Sequence, residues 1–127
     1  MFFRLEQTGE IDNTYIVFQA DNGPTEGGNA YPLRGHKSNY AEGGIRVPAF
    51  IMGPGIPADT TMDRNEIIHL TDWIPTFVDM AGGNTNNYKD LDGHSFLGKF
   101  LNPSEASPRS EIYHNINTAR RVILNDI

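Results

Sequence analysis

The sequence predicts an α/β fold, and three observations predict it. Tyr15-Ile16-Val17-Phe18 is a β-branched and aromatic run with almost no polar interruption, which suits a strand buried on both faces of a parallel sheet. A second apolar run, Val47 to Met52, follows a long glycine-punctuated loop. Leu70, Ile74, Phe77, Val78 and Ala81 then recur at helical spacing, forming one inward stripe.

Taken in order, Phe2 to Gln7 reads as the last turns of a helix, with Gly9 placed to follow its C-cap. A helix tail running into a buried strand is half of a βαβ unit, and the strand it would pair with upstream is not in this sequence. The chain therefore reads as a piece of a larger domain. The second strand is preceded by Arg46 and closed by the turn residues Gly53-Pro54-Gly55. Arg46 suits a structural hydrogen bond to loop carbonyls or to a carboxylate such as Glu42 better than an anion site.

In the 70–81 helix, Asp72 is the expected N-cap, Pro75 falls in the first turn and Gly82-Gly83 ends it. Trp73 and Met80 flank the stripe as packing residues, and His69 reads as a structural histidine. Asn84 to Asp90 is a polar loop, and Leu91-Asp92-Gly93-His94 turns into a short helical piece, Ser95 to Leu101, stopped by Pro103. Ser104 to Ser110 reads as a mobile linker, and Glu111 to Ile116 alternates as a half-buried strand does. His94 and His114 have no acidic or histidine partner at metal-ligand spacing.

Composition narrows the function classes. With 127 residues there is room for one modest domain, and a net charge of -6 with ten Lys and Arg offers no basic stripe for nucleic acid. No run approaches the roughly twenty apolar residues of a membrane span. The absence of cysteine removes disulfides and cysteine metal sites from these residues, and the compartment is not readable from them.

The chemistry concentrates between Asp21 and Arg46. Ligands of open α/β sheets sit beyond the carboxyl ends of strands, so Asp21 and Asn22 at the end of the first run can aim a carboxylate and an amide oxygen at one ion. Taken alone, Asp-Asn-Gly reads better as a plain turn than as an ion site. Six glycines punctuate the loop, at 23, 27, 28, 35, 43 and 44, while Tyr31, Pro32, Leu33 and Tyr40 anchor it. A loop this long in a compact domain is usually functional or disordered. Lys37, in Arg34-Gly35-His36-Lys37, suits an anionic oxygen beside a metal, although taken alone it reads better as a solvated surface lysine.

The ordered set DNG, PLRGHK, EGGIRVPAFI, HLTDWIPTFVDMAG and LDGHS closely resembles the second half of the catalytic domain of the type I sulfatases, most like the arylsulfatase B group. The resemblance runs from about Leu5 to about Asn117. It implies a fragment of an alkaline-phosphatase-like α/β fold that contributes a few strands to a larger mixed sheet flanked by helices, with residues 1–103 in a partial catalytic domain and 104–127 forming a linker and the start of a smaller carboxyl-terminal region. It also implies hydrolysis of aryl or carbohydrate sulfate esters, with Asp21 and Asn22 as two ligands of a calcium ion, magnesium being the substitute. Lys37 would be the catalytic and substrate-binding cation at the ester oxygens. In the family a formylglycine hydrate attacks sulfur, and the resemblance implies a lysosomal or extracellular setting.

The departures carry equal weight. The formylglycine motif, CxPxR or SxPxR, does not occur in these 127 residues, nor do the remaining metal carboxylates and histidines of the family's amino-terminal half. The expected partners are a sulfate ester and that missing half. The chain alone is expected to be inactive. A phosphate or phosphonate ester hydrolase of the same superfamily and a non-catalytic ion- or protein-binding remnant are the competing readings, and His36 is expected at most to touch the substrate rim.

Overall fold

The computed structural model describes residues 1–25, 27–58, 66–86, 88–115 and 120–123. The chain forms two compact units, Met1–Pro54 and Gly55–Ile127.

The first unit opens with helix α1 (Phe2–Thr8), which ends where expected. Gly9 takes the left-handed conformation, φ 72°, and its N–H reaches Glu6 O at 3.1 Å. Strand β1 (Ile16–Gln19) pairs with β2 (Ala49–Met52), and a four-residue helix, α2 (Glu42–Ile45), precedes β2. The parallel neighbour expected for β1 is the upstream strand that this sequence does not contain, while the pairing with β2 is antiparallel, with Ile16 opposite Met52 and Phe18 opposite Phe50. The cause is the loop closure. Ala20 N–H donates to Pro48 O at 3.1 Å, so the chain re-enters at the end of β1 that it left, and such a return reverses strand direction.

Nor is β1 buried on both faces. Ile16 is buried, while Phe18 is 51% exposed and stacks on Phe50, their ring centroids 5.3 Å apart.

In the second unit a 3-10 turn (Leu70–Asp72) leads into helix α3 (Trp73–Met80), followed by helix α4 (Leu97–Leu101) and the antiparallel strands β3 (Glu111–Asn115) and β4 (Arg120–Ile123). Gly82, at φ 71°, follows the end of α3, as the Gly82-Gly83 pair predicts. Strand β4 was not expected from the sequence, and Ile116, the predicted end of β3, lies outside the described residues. Ile112 is buried and Tyr113 exposed, so β3 alternates as expected.

Helix α3 is rotated relative to its apolar stripe. Leu70, Ile74 and Phe77 are exposed, whereas Asp72, Trp73 and Thr76 are buried. Polar tethers set this rotation. The Asp72 carboxylate accepts His69 N–H (2.7 Å), His94 N–H (2.8 Å) and two Arg109 guanidinium N–H groups, Nε at 2.9 Å and Nη2 at 2.6 Å. One turn on, Thr76 Oγ1 donates to Asp72 O and accepts from Phe96 N–H at 3.0 Å. Asp72 stands at the N-cap of α3, as the sequence suggested, but its side chain makes no cap hydrogen bond to α3; its carboxylate ties three segments together instead. Trp73 turns inward with it and stacks on Phe100, centroids 5.9 Å apart, beside the fully buried Phe96.

The expected mobile linker is held at two points. Lys99 Nζ donates to Glu105 O at 2.7 Å while pairing with Glu66, and Arg109 holds Asp72 and Asp92 O. A buried Lys99 is tolerated because both partners are in place.

Burial alone would raise the Asp72 pKa, but the hydrogen bonds from Arg109, His94 and His69 and the Arg109 charge outweigh it and hold the carboxyl below its ordinary 3.8. A depressed carboxylate contributes stability that is present above the unfolded pKa and is lost as pH falls through the folded one. Asp72→Ala strands the Arg109 guanidinium and is expected to cost about 3–5 kcal/mol, read by urea denaturation at pH 7. Titrating wild type and Asp72→Asn from pH 7 to pH 2 should show the variant losing less stability below pH 4, and parallel acid limbs would contradict this account.

Candidate functional site

The loop between β1 and β2 is knitted by backbone, and its glycines explain how. Gly23 N–H donates to Gly44 O at 2.9 Å, Gly43 N–H to Arg34 O at 2.7 Å and Lys37 N–H to Pro24 O at 2.9 Å. These three bonds join the DNG, RGHK and EGG segments into one cluster. The approach leaves no room for side chains. A Cβ on Gly23 would overlap Gly43 O, one on Gly43 would overlap Gly35 O, and one on Gly44 would overlap the Asn39 and His36 carbonyls.

Gly44 is the pivot. Its carbonyl holds the DNG turn, and its Cα lies under the turn that bears Lys37, closed by Asn39 N–H to His36 O at 3.0 Å. Within that turn Ser38 adopts φ 68°, and Asn39 Oδ1 accepts Ala41 N–H at 2.7 Å. The structure thus brings the backbones that carry Asp21, Asn22 and Lys37 to one cluster at the carboxyl end of β1. The site glycines missed as such by sequence reasoning were Gly43 and Gly44, noted there only as loop punctuation. Their adjacency to a short apolar strand was the available signal.

Asp21 and Lys37 are exposed and Asn22 is half-buried. Asn22 Nδ2 faces Gly23 O at 2.9 Å, a carbonyl that only accepts, so Oδ1 remains to serve a cation. The two side chains fit a hard divalent ion as donors but make only part of the six to eight oxygens that calcium takes. Among the described residues no group of three or more His, Cys, Asp or Glu gathers as a metal site. Arg46 pairs with Glu42 at 3.1 Å, the structural role expected of it.

His69 is structural too. Its Nδ1 lies 2.9 Å from Thr71 Oγ1 and forms a capping box with Asp72. His94 contributes its backbone N–H to Asp72. Both belong to the second unit.

Beside the Lys37 turn lies a cleft of about 310 Å³ whose walls include Pro24, Thr25, Asn29, Tyr31, Gly35 and His36. Asp21, Asn22 and Lys37 do not line it. Its walls are nonetheless continuous with the Lys37 turn, since His36 precedes Lys37 and Pro24 O accepts the Lys37 N–H.

The sulfatase family model matches residues 2–83, which includes the whole loop. The chain belongs to the sulfatase family. It is 38% identical over 115 residues to arylsulfatase J of Mus musculus, covering 89% of this chain and 19% of that protein. Over 109 residues it is 36% identical to N-acetylglucosamine-6-sulfatase of Homo sapiens, covering 86% and 19% respectively. Ps i-CgsB, solved in complex with k-i-k-neocarrahexaose, superposes with a TM-score of 0.70 at 33% identity, over 78% of this chain and 22% of that one. The chain thus spans about a fifth of the length of these sulfatase relatives and adopts an α/β portion of the sulfatase fold.

Gly44→Ala forces the Lys37 turn away from the DNG segment. We expect a loss of about 1–3 kcal/mol in urea denaturation, the usual cost of overpacking, together with faster amide exchange at Gly23 and Asn39. Wild-type exchange at both amides would mean that the pivot does not organise the loop.

Proposed function

We propose that this chain is part of a sulfuric ester hydrolase in which Asp21, Asn22 and Lys37 belong to the active site. The observation that supports this most is the Gly44 pivot, which joins the Asp21-Asn22-Gly23 turn to the Lys37 turn at the carboxyl end of β1. In this reading residues 1–103 belong to a catalytic domain that continues outside the chain, and 104–127 begin a smaller region. The exposed Phe18–Phe50 face and the exposed stripe of α3 would be covered by that remainder.

The reaction takes a sulfate ester and water to an alcohol and hydrogen sulfate. Lys37 places a compact positive charge against the non-bridging ester oxygens, where charge builds as the bond to the leaving alcohol breaks. Asp21 and Asn22 would hold calcium, or magnesium in its place, which supplies Lewis-acid charge neutralisation when bound. The backbone hydrogen bonds around Gly44 fix the distance between the Lys37 turn and the DNG turn, so neither needs to reorganise during turnover.

The nucleophile in this reading is a formylglycine contributed by residues outside the chain, since neither CxPxR nor SxPxR occurs in it. Substrates are aryl or carbohydrate sulfate esters, a range supported by relatives named arylsulfatase J and N-acetylglucosamine-6-sulfatase. The setting in this reading is extracellular or lysosomal, and the extracellular one is supported by a relative named extracellular sulfatase SULF-1 homolog.

In the enzyme carrying this segment, Lys37→Ala should lower kcat/KM for sulfate esters by roughly a hundredfold to a thousandfold, while phosphate esters remain poor substrates of the wild type. Unchanged kcat and KM would remove Lys37 from the site. Stripping divalent ions with a chelator should lower the Tm of the wild type and leave that of Asp21→Ala nearly unmoved, because that variant has already lost a ligand. An equal chelator shift in both would place the ion elsewhere.

A further inference from the structure

We propose that the Asn22–Gly23 peptide is a latent self-modification site, where the side-chain amide is lost to attack by the chain's own backbone, and that the Gly44 contact holds this reaction off. Its chemistry needs only the backbone and water, and so stands apart from the hydrolase reading. Asn22 is the one asparagine in the sequence followed by glycine.

The reaction is intramolecular. The Gly23 backbone nitrogen, on giving up its proton, attacks Asn22 Cγ; the bond from Cγ to Nδ2 breaks, Nδ2 takes up a proton and leaves as ammonia, and a five-membered succinimide closes. Water then opens either carbonyl of the ring, leaving aspartate or isoaspartate in place of Asn22. Nothing is oxidised or reduced, and water is the one co-reactant. Glycine in the second position makes ring closure fast in an open chain, since no side chain shields its nitrogen or restricts the turn.

The folded loop opposes each part of that step. Gly23 is buried and its N–H is committed to Gly44 O at 2.9 Å, which keeps the nucleophile protonated and in place. Nδ2, the nitrogen that must leave, donates to Gly23 O at 2.9 Å. Gly43 O and Gly44 Cα crowd the side of Gly23 on which a Cβ would sit, so the backbone rotation that closes the ring has little room. Deamidation therefore runs from a locally opened loop, and its rate reads how often the Gly23–Gly44 contact breaks.

The product no longer fits the turn. Aspartate sets a second carboxylate beside Asp21, and isoaspartate routes the main chain through Cβ, adding an atom to the backbone between Asp21 and the Gly23 N–H. Where Asn22 serves as a ligand, a neutral oxygen donor becomes an anionic one.

The enzyme carrying this segment is incubated at mildly alkaline pH, native and in urea, then digested and scored at Asn22 for aspartate and isoaspartate by mass spectrometry, with Asn29 and Asn39 as internal references. Wild type should convert at least roughly tenfold more slowly native than in urea. Gly44→Ala should recover most of that difference under native conditions, with wild-type amide exchange at His69 and His94 showing that the second unit stays folded. Equal native and urea rates, no excess of Asn22 conversion over Asn29 and Asn39 in urea, or a wild-type rate in folded Gly44→Ala overturns the proposal. The wild-type comparison decides alone if the variant does not fold. Activity followed in parallel keeps the two readings apart: turnover lost in step with conversion supports Asn22 as a ligand, while full turnover in converted enzyme removes that role and leaves the modification site standing.

Discussion

Close backbone approach at Gly23, Gly43 and Gly44 is the constraint on which the functional loop depends. Three segments separated by up to about twenty residues can share one hydrogen-bonded cluster only if nothing but hydrogen projects between them. Once that contact forms, the DNG turn and the Lys37 turn lose their independence. A long loop that would otherwise be costly to order becomes a rigid platform at the end of a short strand pair.

A different solution holds the second unit together. There a single buried carboxylate, Asp72, gathers the amides preceding α3 and α4 and the Arg109 side chain of the segment before β3. Burying a charge is tolerated because every contact is a charge-assisted or backbone hydrogen bond. The same tethers turn α3 so that Trp73 and Thr76 face inward and the apolar stripe faces out. Within this chain polar geometry overrides hydrophobic periodicity, and the exposed stripe agrees with a chain that spans about a fifth of its relatives.

Much was legible in the sequence because it was local. The glycine ends of α1 and α3, the two strands around the loop, the alternation of β3 and the structural roles of Arg46 and His69 all follow from residues within a few positions of each other. The candidate site residues, Asp21, Asn22 and Lys37, were also readable as residue types, and the ordered motifs pointed to the sulfatase family that the comparisons establish. Less legible were the antiparallel return of β2, the rotation of α3, the pinning of 104–110 and strand β4. Each depends on a partner many positions away, as Asp72 depends on Arg109.

By itself, then, the sequence determined the family, the positions of most elements and the chemistry available at Asp21, Asn22 and Lys37, since these rest on residue type and short-range backbone preference. Only the tertiary structure decided which strand direction closes the loop, which face of α3 is buried and that Gly44 joins the two turns beside a small cleft. Those outcomes depend on how closely distant backbones approach and on which buried polar groups find partners, and neither quantity is encoded in local spacing.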